Sequence, residues 1–282
     1  MTKNILVSAA ELEALLADGR CLAVDCRFEF SDTDKGRADW LSGHIPGAAY
    51  AHLDEDLSSP VTEHSGRHPL PDPYRFAQYL ASIGWTKGRL LVAYDEGSNA
   101  VAARLWWLMR FFGQPSALLD GGLAAWLATG RSLEAGDPAR LPGDVANLRP
   151  DDSMQVGTED VLRSLVQGAS LLLDARAGQR FRGEVEPLDT RAGHIPGSLN
   201  RPFGANLEPG ERFRDPAALR EEFLELLDGR EPRSVMHSCG SGVTACHNLF
   251  AMELAGLEGS RLYPGSWSEW IRDPARPIEA GA

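Results

Sequence analysis

Short apolar runs alternate along this chain with stretches whose apolar positions recur every three or four residues. Leu22-Ala23-Val24, Leu90-Leu91-Val92-Ala93, Leu172-Leu173 and Ser234-Val235-Met236-His237 read as buried strands, because each is too short for a helix and is bounded by turn-forming residues. Residues 9–18, 73–83, 100–112, 158–166, 216–227 and 243–254 carry the helical period. Strand and helix in regular alternation predict an α/β protein whose sheets are mostly parallel and flanked by helices on both faces. In such sheets ligands sit at the carboxyl ends of the strands, so the turns that follow the apolar runs are where chemistry is expected.

The pattern occurs twice. Gly43-His44-Ile45-Pro46-Gly47-Ala48 returns as Gly193-His194-Ile195-Pro196-Gly197-Ser198, an offset of 150 residues. Upstream, the Asp25-Cys26-Arg27 turn answers Asp174-Ala175-Arg176; downstream, the run ending at Asp95 answers the run ending at Cys239. Asp120-Gly121-Gly122-Leu123 and Trp126 are matched by Gly265-Ser266-Trp267 and Trp270. A self-similar chain of this length predicts two tandem domains, residues 1–130 and 153–282, joined by a linker at 131–152 that is rich in Pro and Gly and lacks a hydrophobic period. His44 and His194 occur in both copies of one turn and are read as packing residues.

Composition narrows the class. The chain is 43% hydrophobic and 24% charged, the balance of a globular protein, and its net charge of −12 argues against a broad nucleic-acid or anionic-membrane footprint. The N-terminal apolar run is too short for a signal peptide and no stretch is long enough for a membrane span, so a cytoplasmic location is expected. The four cysteines form no CxxC pair and no zinc-like cluster; no metal and no cofactor are called for. Cys21 and Cys26 bracket a buried strand and read as core.

Cys239 differs. It opens Cys-Gly-Ser-Gly-Val-Thr-Ala, a loop of small residues between a strand and a helix. Gly240 and Gly242 allow successive amide N–H groups to turn toward the sulfur, and the positive end of the helix dipole adds to their field, an arrangement that favours thiolate over thiol. Asp95, at the matching place in the first half, cannot do thiol chemistry. Only the second half is therefore expected to be catalytic, with the first supplying surface and a few side chains. A phosphatase of the Cys-x5-Arg kind would need an arginine where this chain has Ala245.

Taken together, the paired Gly-His-Ile-Pro-Gly turns, the Asp95 and Cys239 loops, Asp-Gly-Gly-Leu-x-x-Trp and Gly265-Ser266-Trp267-Ser268-Glu269-Trp270 resemble the rhodanese superfamily, and within it the two-domain 3-mercaptopyruvate sulfurtransferases. Thiosulfate-using members look like Cys-Arg-Lys-Gly-Val-Thr-Ala. Gly240 and Ser241 stand where those cations would be, which suits a donor whose charge lies away from its sulfur. The resemblance implies that Cys239 takes sulfur from 3-mercaptopyruvate, releases pyruvate and passes the persulfide sulfur to a thiol, to thioredoxin or to cyanide. It implies a cradle of amides at Gly240, Ser241, Gly242, Val243 and Thr244, with Arg180 on the donor carboxylate. A second family arginine is replaced by Leu188; Arg191 either substitutes for it or is a solvated surface residue. Asp54 and His68, with Ser241, match the groups expected to move protons, and His64 competes with His68 for that place. Two other readings are carried forward: thiosulfate as the donor, and a relay module that accepts a persulfide made elsewhere.

Overall fold

The computed structural model describes residues 5–145, 147–168 and 170–281. The chain divides into two compact units that are not contiguous in sequence. The first comprises Met1–Ser59, Leu70–Asp151 and Pro209–Phe213; the second comprises Pro60–Pro69, Asp152–Glu208 and Arg214–Ala282.

The first unit runs β1 (Leu6–Val7), α1 (Ala9–Ala17), β2 (Cys21–Asp25), α2 (Lys35–Ser42), β3 (Ala49–Tyr50), α3 (Pro73–Ser82), β4 (Leu90–Tyr94), α4 (Ala102–Phe111), β5 (Ser116–Leu119) and α5 (Gly122–Ala128). Its strands pair in the order β1-β5-β4-β2-β3, all parallel. Cys21, Ala23, Val92, Tyr94, Ala117 and Leu119 point to one face and pack with Leu12 of α1 and Leu123 and Trp126 of α5. Val24, Leu91, Ala93 and Leu118 alternate with them and are equally buried, so the central strands are covered on both sides, as a parallel sheet requires. Cys21 and Cys26 are wholly buried.

The second unit contains α6 (Thr158–Gln167), β6 (Leu171–Asp174), α7 (Gly178–Phe181), β7 (Leu199–Asn200), α8 (Pro216–Leu227), β8 (Val235–Ser238), α9 (Ala245–Leu254), β9 (Arg261–Leu262) and α10 (Ser266–Trp270). Four parallel strands are ordered β7-β6-β8-β9. Leu172 and Met236 pack with Val161 of α6 and with Trp267 and Trp270 of α10. α9 packs on β8 from its own helix layer together with α8. Among the described residues no helix is long and apolar enough to cross a membrane.

Where expected elements and observed ones differ, local chemistry explains the difference. The helix after Cys239 starts at Ala245 instead of 243, because the intervening residues bend around the sulfur. α8 keeps its expected bounds, beginning at Pro216, where Asp215 caps the amides of Ala217 and Ala218 and proline fits the first turn.

The repeated turns have a shared structural task. His44 N–H donates to Glu134 O at 2.9 Å and His194 N–H to Glu279 O at 2.8 Å, each with the reverse bond present. Each glutamate carboxylate also accepts from the turn glycine, Gly47 at 2.6 Å and Gly197 at 3.1 Å. Both imidazoles are buried with Nδ1 on a backbone carbonyl, Trp40 O and Phe181 O. Glu134 is thus tied into the first unit although it falls in the stretch that composition marks as a linker.

Candidate active site

β8 delivers Cys239 to the carboxyl edge of the second sheet, and the loop that follows is held from two sides. Ser266 Oγ accepts the Cys239 N–H at 3.1 Å and donates to Tyr263 O at 2.9 Å. The amides of Trp267 and Ser268 donate to the carbonyls of Cys239 and Gly240 at 3.0 and 2.9 Å. To make these contacts Ser266 adopts φ +51, a left-handed conformation unfavourable for a non-glycine residue, which its buried hydroxyl bonds offset.

The sulfur itself accepts from two backbone amides, Gly242 N–H at 3.1 Å and Ser241 N–H at 3.4 Å. Gly242 has φ +77, and a Cβ there would stand 2.4 Å from Pro264 O; only glycine lets the loop close this tightly. Among the described residues Val243 and Thr244 donate no bond to Sγ itself. Cys239 is 2% exposed. Cys246 lies deeper, its thiol on Gly242 O at 3.4 Å.

His68 arrives from a distant part of the sequence. The Pro60–Pro69 segment belongs to the second unit, fastened by Arg67 N–H to Ser268 Oγ at 3.0 Å and by Arg272 Nε to Ser65 O at 3.2 Å. His68 is buried, with Nδ1 2.7 Å from Ser241 Oγ. His64 has a side chain 88% exposed and stands 3.0 Å from Glu63, away from that contact. Asp54 lies in the first unit, exposed, with its backbone N–H on His52 Nδ1 at 3.2 Å.

Arg180, on α7, donates from Nη2 to Glu186 at 2.6 Å and to Asp189 at 3.2 Å, and from Nε to Glu186 at 3.2 Å. Burial alone would push the Glu186 carboxyl up, but the Arg180 guanidinium and nearby amides hold it below its ordinary value. Burial pushes Asp189 up despite Arg67 beside it. Arg67 also forms an ion pair with Asp189. The three atoms nearest a Cβ placed on Gly240 are Arg67 Nη2 at 2.9 Å and the two terminal nitrogens of Arg180 at 3.6 Å. Arg191 is not among them; its carbonyl accepts from Trp267 Nε1 at 2.9 Å. Leu188 is exposed.

Sequence reasoning passed over Arg67, Asp189, Ser266 and Ser268. The one signal for Ser266 and Ser268 was their place in the repeated Gly-x-Trp stretch; Arg67 carried none beyond adjacency to His68.

The matching loop of the first unit is occupied by its own side chain. Asp95 accepts from the amides of Asn99 at 2.7 Å, Val101 at 3.0 Å, Gly97 at 3.2 Å and Ala102 at 3.4 Å. A cavity of about 520 Å³ lined by Arg27, Lys35, Asp95 and Glu96 opens beside it. The same loop position therefore holds a fixed carboxylate in one unit and the Cys239 sulfur, with two amides on it, in the other.

Comparison with known proteins finds one kind of domain in both halves. A rhodanese-like domain model matches residues 8–129 and 158–273. A Pseudomonas aeruginosa protein named "Probable 3-mercaptopyruvate sulfurtransferase" is 47% identical over 284 residues, covering 100% of both chains. A Mycobacterium tuberculosis protein provisionally named a thiosulfate sulfurtransferase is 37% identical over 99% of this chain and 98% of its own. The crystal structure of an Escherichia coli 3-mercaptopyruvate sulfotransferase superimposes with a TM-score of 0.82 at 33% identity, covering 94% of this chain and 99% of that one.

Proposed function

Because this chain belongs to the rhodanese-like family, with a copy of the domain in each half, we propose that it is a 3-mercaptopyruvate sulfurtransferase that works through a persulfide on Cys239. The observation that carries the reading is the Cys239 sulfur held by the Ser241 and Gly242 amides in a loop with no cation of its own.

The reaction divides in two. The Cys239 thiolate attacks the donor's thiol sulfur; the donor C–S bond breaks and its electron pair passes to the enolate of pyruvate, which takes a proton at carbon. Cys239 now carries the outer sulfur, and amides aimed at the loop stabilise its negative charge. In the second half a thiol or cyanide attacks that outer sulfur and the Cys239 thiolate leaves. Small thiols, thioredoxin and cyanide are the acceptors this chemistry admits. His68 and Ser241, in hydrogen-bond contact, form the route by which the donor thiol proton leaves and the enolate proton arrives. Asp54 enters this reading from the family resemblance alone.

Steady-state kcat/KM with 3-mercaptopyruvate and with thiosulfate, following pyruvate and thiocyanate, tests the proposal. A preference for 3-mercaptopyruvate is expected; a preference for thiosulfate overturns it. The thiosulfate reading has one observation in its favour, the two guanidiniums beside Gly240 that restore cations the loop itself lacks. A donor-independent relay is excluded by a stoichiometric burst of pyruvate in a single turnover.

A further inference from the structure

The geometry points to Arg67 as a second guanidinium, beside Arg180, that reads the donor's carboxylate; the inference rests on the proposed mercaptopyruvate reaction and names how that donor is recognised. Three observations carry it. Arg67 Nη2 is the atom nearest to where a side chain would begin on Gly240, the residue directly after the nucleophile, and both terminal nitrogens of Arg180 stand close behind it. The two guanidiniums share one carboxylate, Asp189, with Arg67 engaged through Nη1 and Arg180 through Nη2, so each is oriented by the same buried anchor. Among the described residues Arg67 Nη2 and Arg180 Nη1 have no protein acceptor, and both are among the three atoms nearest the Gly240 face.

The charge balance of the cluster fixes the kind of anion it suits. Arg176 and Arg180 pair with Asp174, Glu186 and Asp189, and Arg67 adds the third cation to three carboxylates. Little net positive charge is left for a compact dianion. What remains is a pair of directed N–H donors, and these match a planar monoanionic carboxylate, whose two oxygens accept from two guanidiniums at once. Mercaptopyruvate presents such a carboxylate at the end away from its thiol. Gly240 is small in this account because a side chain there would occupy the room that Arg67 fills.

The test compares two donors that share a thiol and a ketone, 3-mercaptopyruvate and 1-mercaptopropan-2-one, which has a methyl group in place of the carboxylate. In Arg67→Met, kcat/KM for mercaptopyruvate is expected to fall by about 30-fold, the loss typical of a hydrogen bond to a charged group, while that for the neutral ketone changes by less than about 2-fold. Arg67→Lys keeps the charge on Asp189 without the planar fork and should recover part of the loss. Equal losses with both donors would mean that Arg67 acts only by holding Asp189, and unchanged mercaptopyruvate use would equally overturn the assignment. Pyruvate titrated calorimetrically into the persulfide-free protein separates this inference from the one beneath it: its affinity should weaken by about 10-fold in Arg67→Met. Should the wild type release no pyruvate from mercaptopyruvate, the proposed reaction fails, yet weaker pyruvate binding in the variant still upholds Arg67; unaltered binding overturns Arg67 whatever the turnover.

Discussion

Neighbouring glycines of the Cys239 loop carry unlike burdens. At Gly242 an added methyl would meet the backbone oxygen of Pro264 in a left-handed conformation, and neither can yield cheaply. Gly242→Ala is expected to lower stability by about 2 kcal/mol or more in urea unfolding and to disturb the amide that sits on the sulfur. Gly240→Ala meets only the tip of a flexible arginine, so its unfolding midpoint should stay close to wild type while mercaptopyruvate use drops. Cys239→Ser removes the proposed nucleophile with little change in volume. Donor-treated wild type should gain about 32 Da, the mass of one sulfur added as a persulfide, and the serine variant should gain none at an unaltered melting temperature. Cysteine and loop were legible in the sequence because small residues between a strand and a helix have few other uses. Arg67 and Asp189 were not, since their meeting depends on where an aperiodic polar segment comes to rest, and no local pattern encodes that.

Among the elements, β8 brings with it a group that titrates only at a cost. His237 is wholly buried and, among the described residues, neither ring nitrogen has a partner. Burial pushes its imidazole down to about 3. In the unfolded chain the same ring takes up a proton at about 6.5, so between those values the unfolded state binds more protons and stability falls as the pH drops. His237→Leu should therefore lose about 2 kcal/mol less than wild type between about pH 7 and pH 5, measured by urea unfolding at each pH. Asp95 does the opposite kind of work, filling a loop with its carboxylate; Asp95→Ala strands four amides and should destabilise by about 3 kcal/mol in the same assay. The central strands and longer helices were readable from their periods. β3, β7 and α7, of two, two and four residues, were not, because so few positions cannot display a period.

Across the whole molecule the same scaffold occurs twice, and a cysteine stands at the loop position in one copy where the other has Asp95. All four cysteines are buried, and burial pushes the Cys21 thiol up to about 11 and raises Cys26 as well. Those two should resist iodoacetamide near neutral pH, which peptide mapping after brief treatment would reveal. The tandem organisation was plain from the repeat, but the crossing of short stretches between units was hidden: Pro60–Pro69 is encoded amid first-unit sequence yet packs with the second. A ribosome making this chain exposes that stretch early and must finish much of the message before its proper bed exists. Arg67 and His68 wait, untethered, for a partner still to be translated. The nascent polypeptide is therefore chemically mute until late in its birth, and a gene cut between the repeats would yield a thiol that keeps Arg180 but has lost Arg67 and His68.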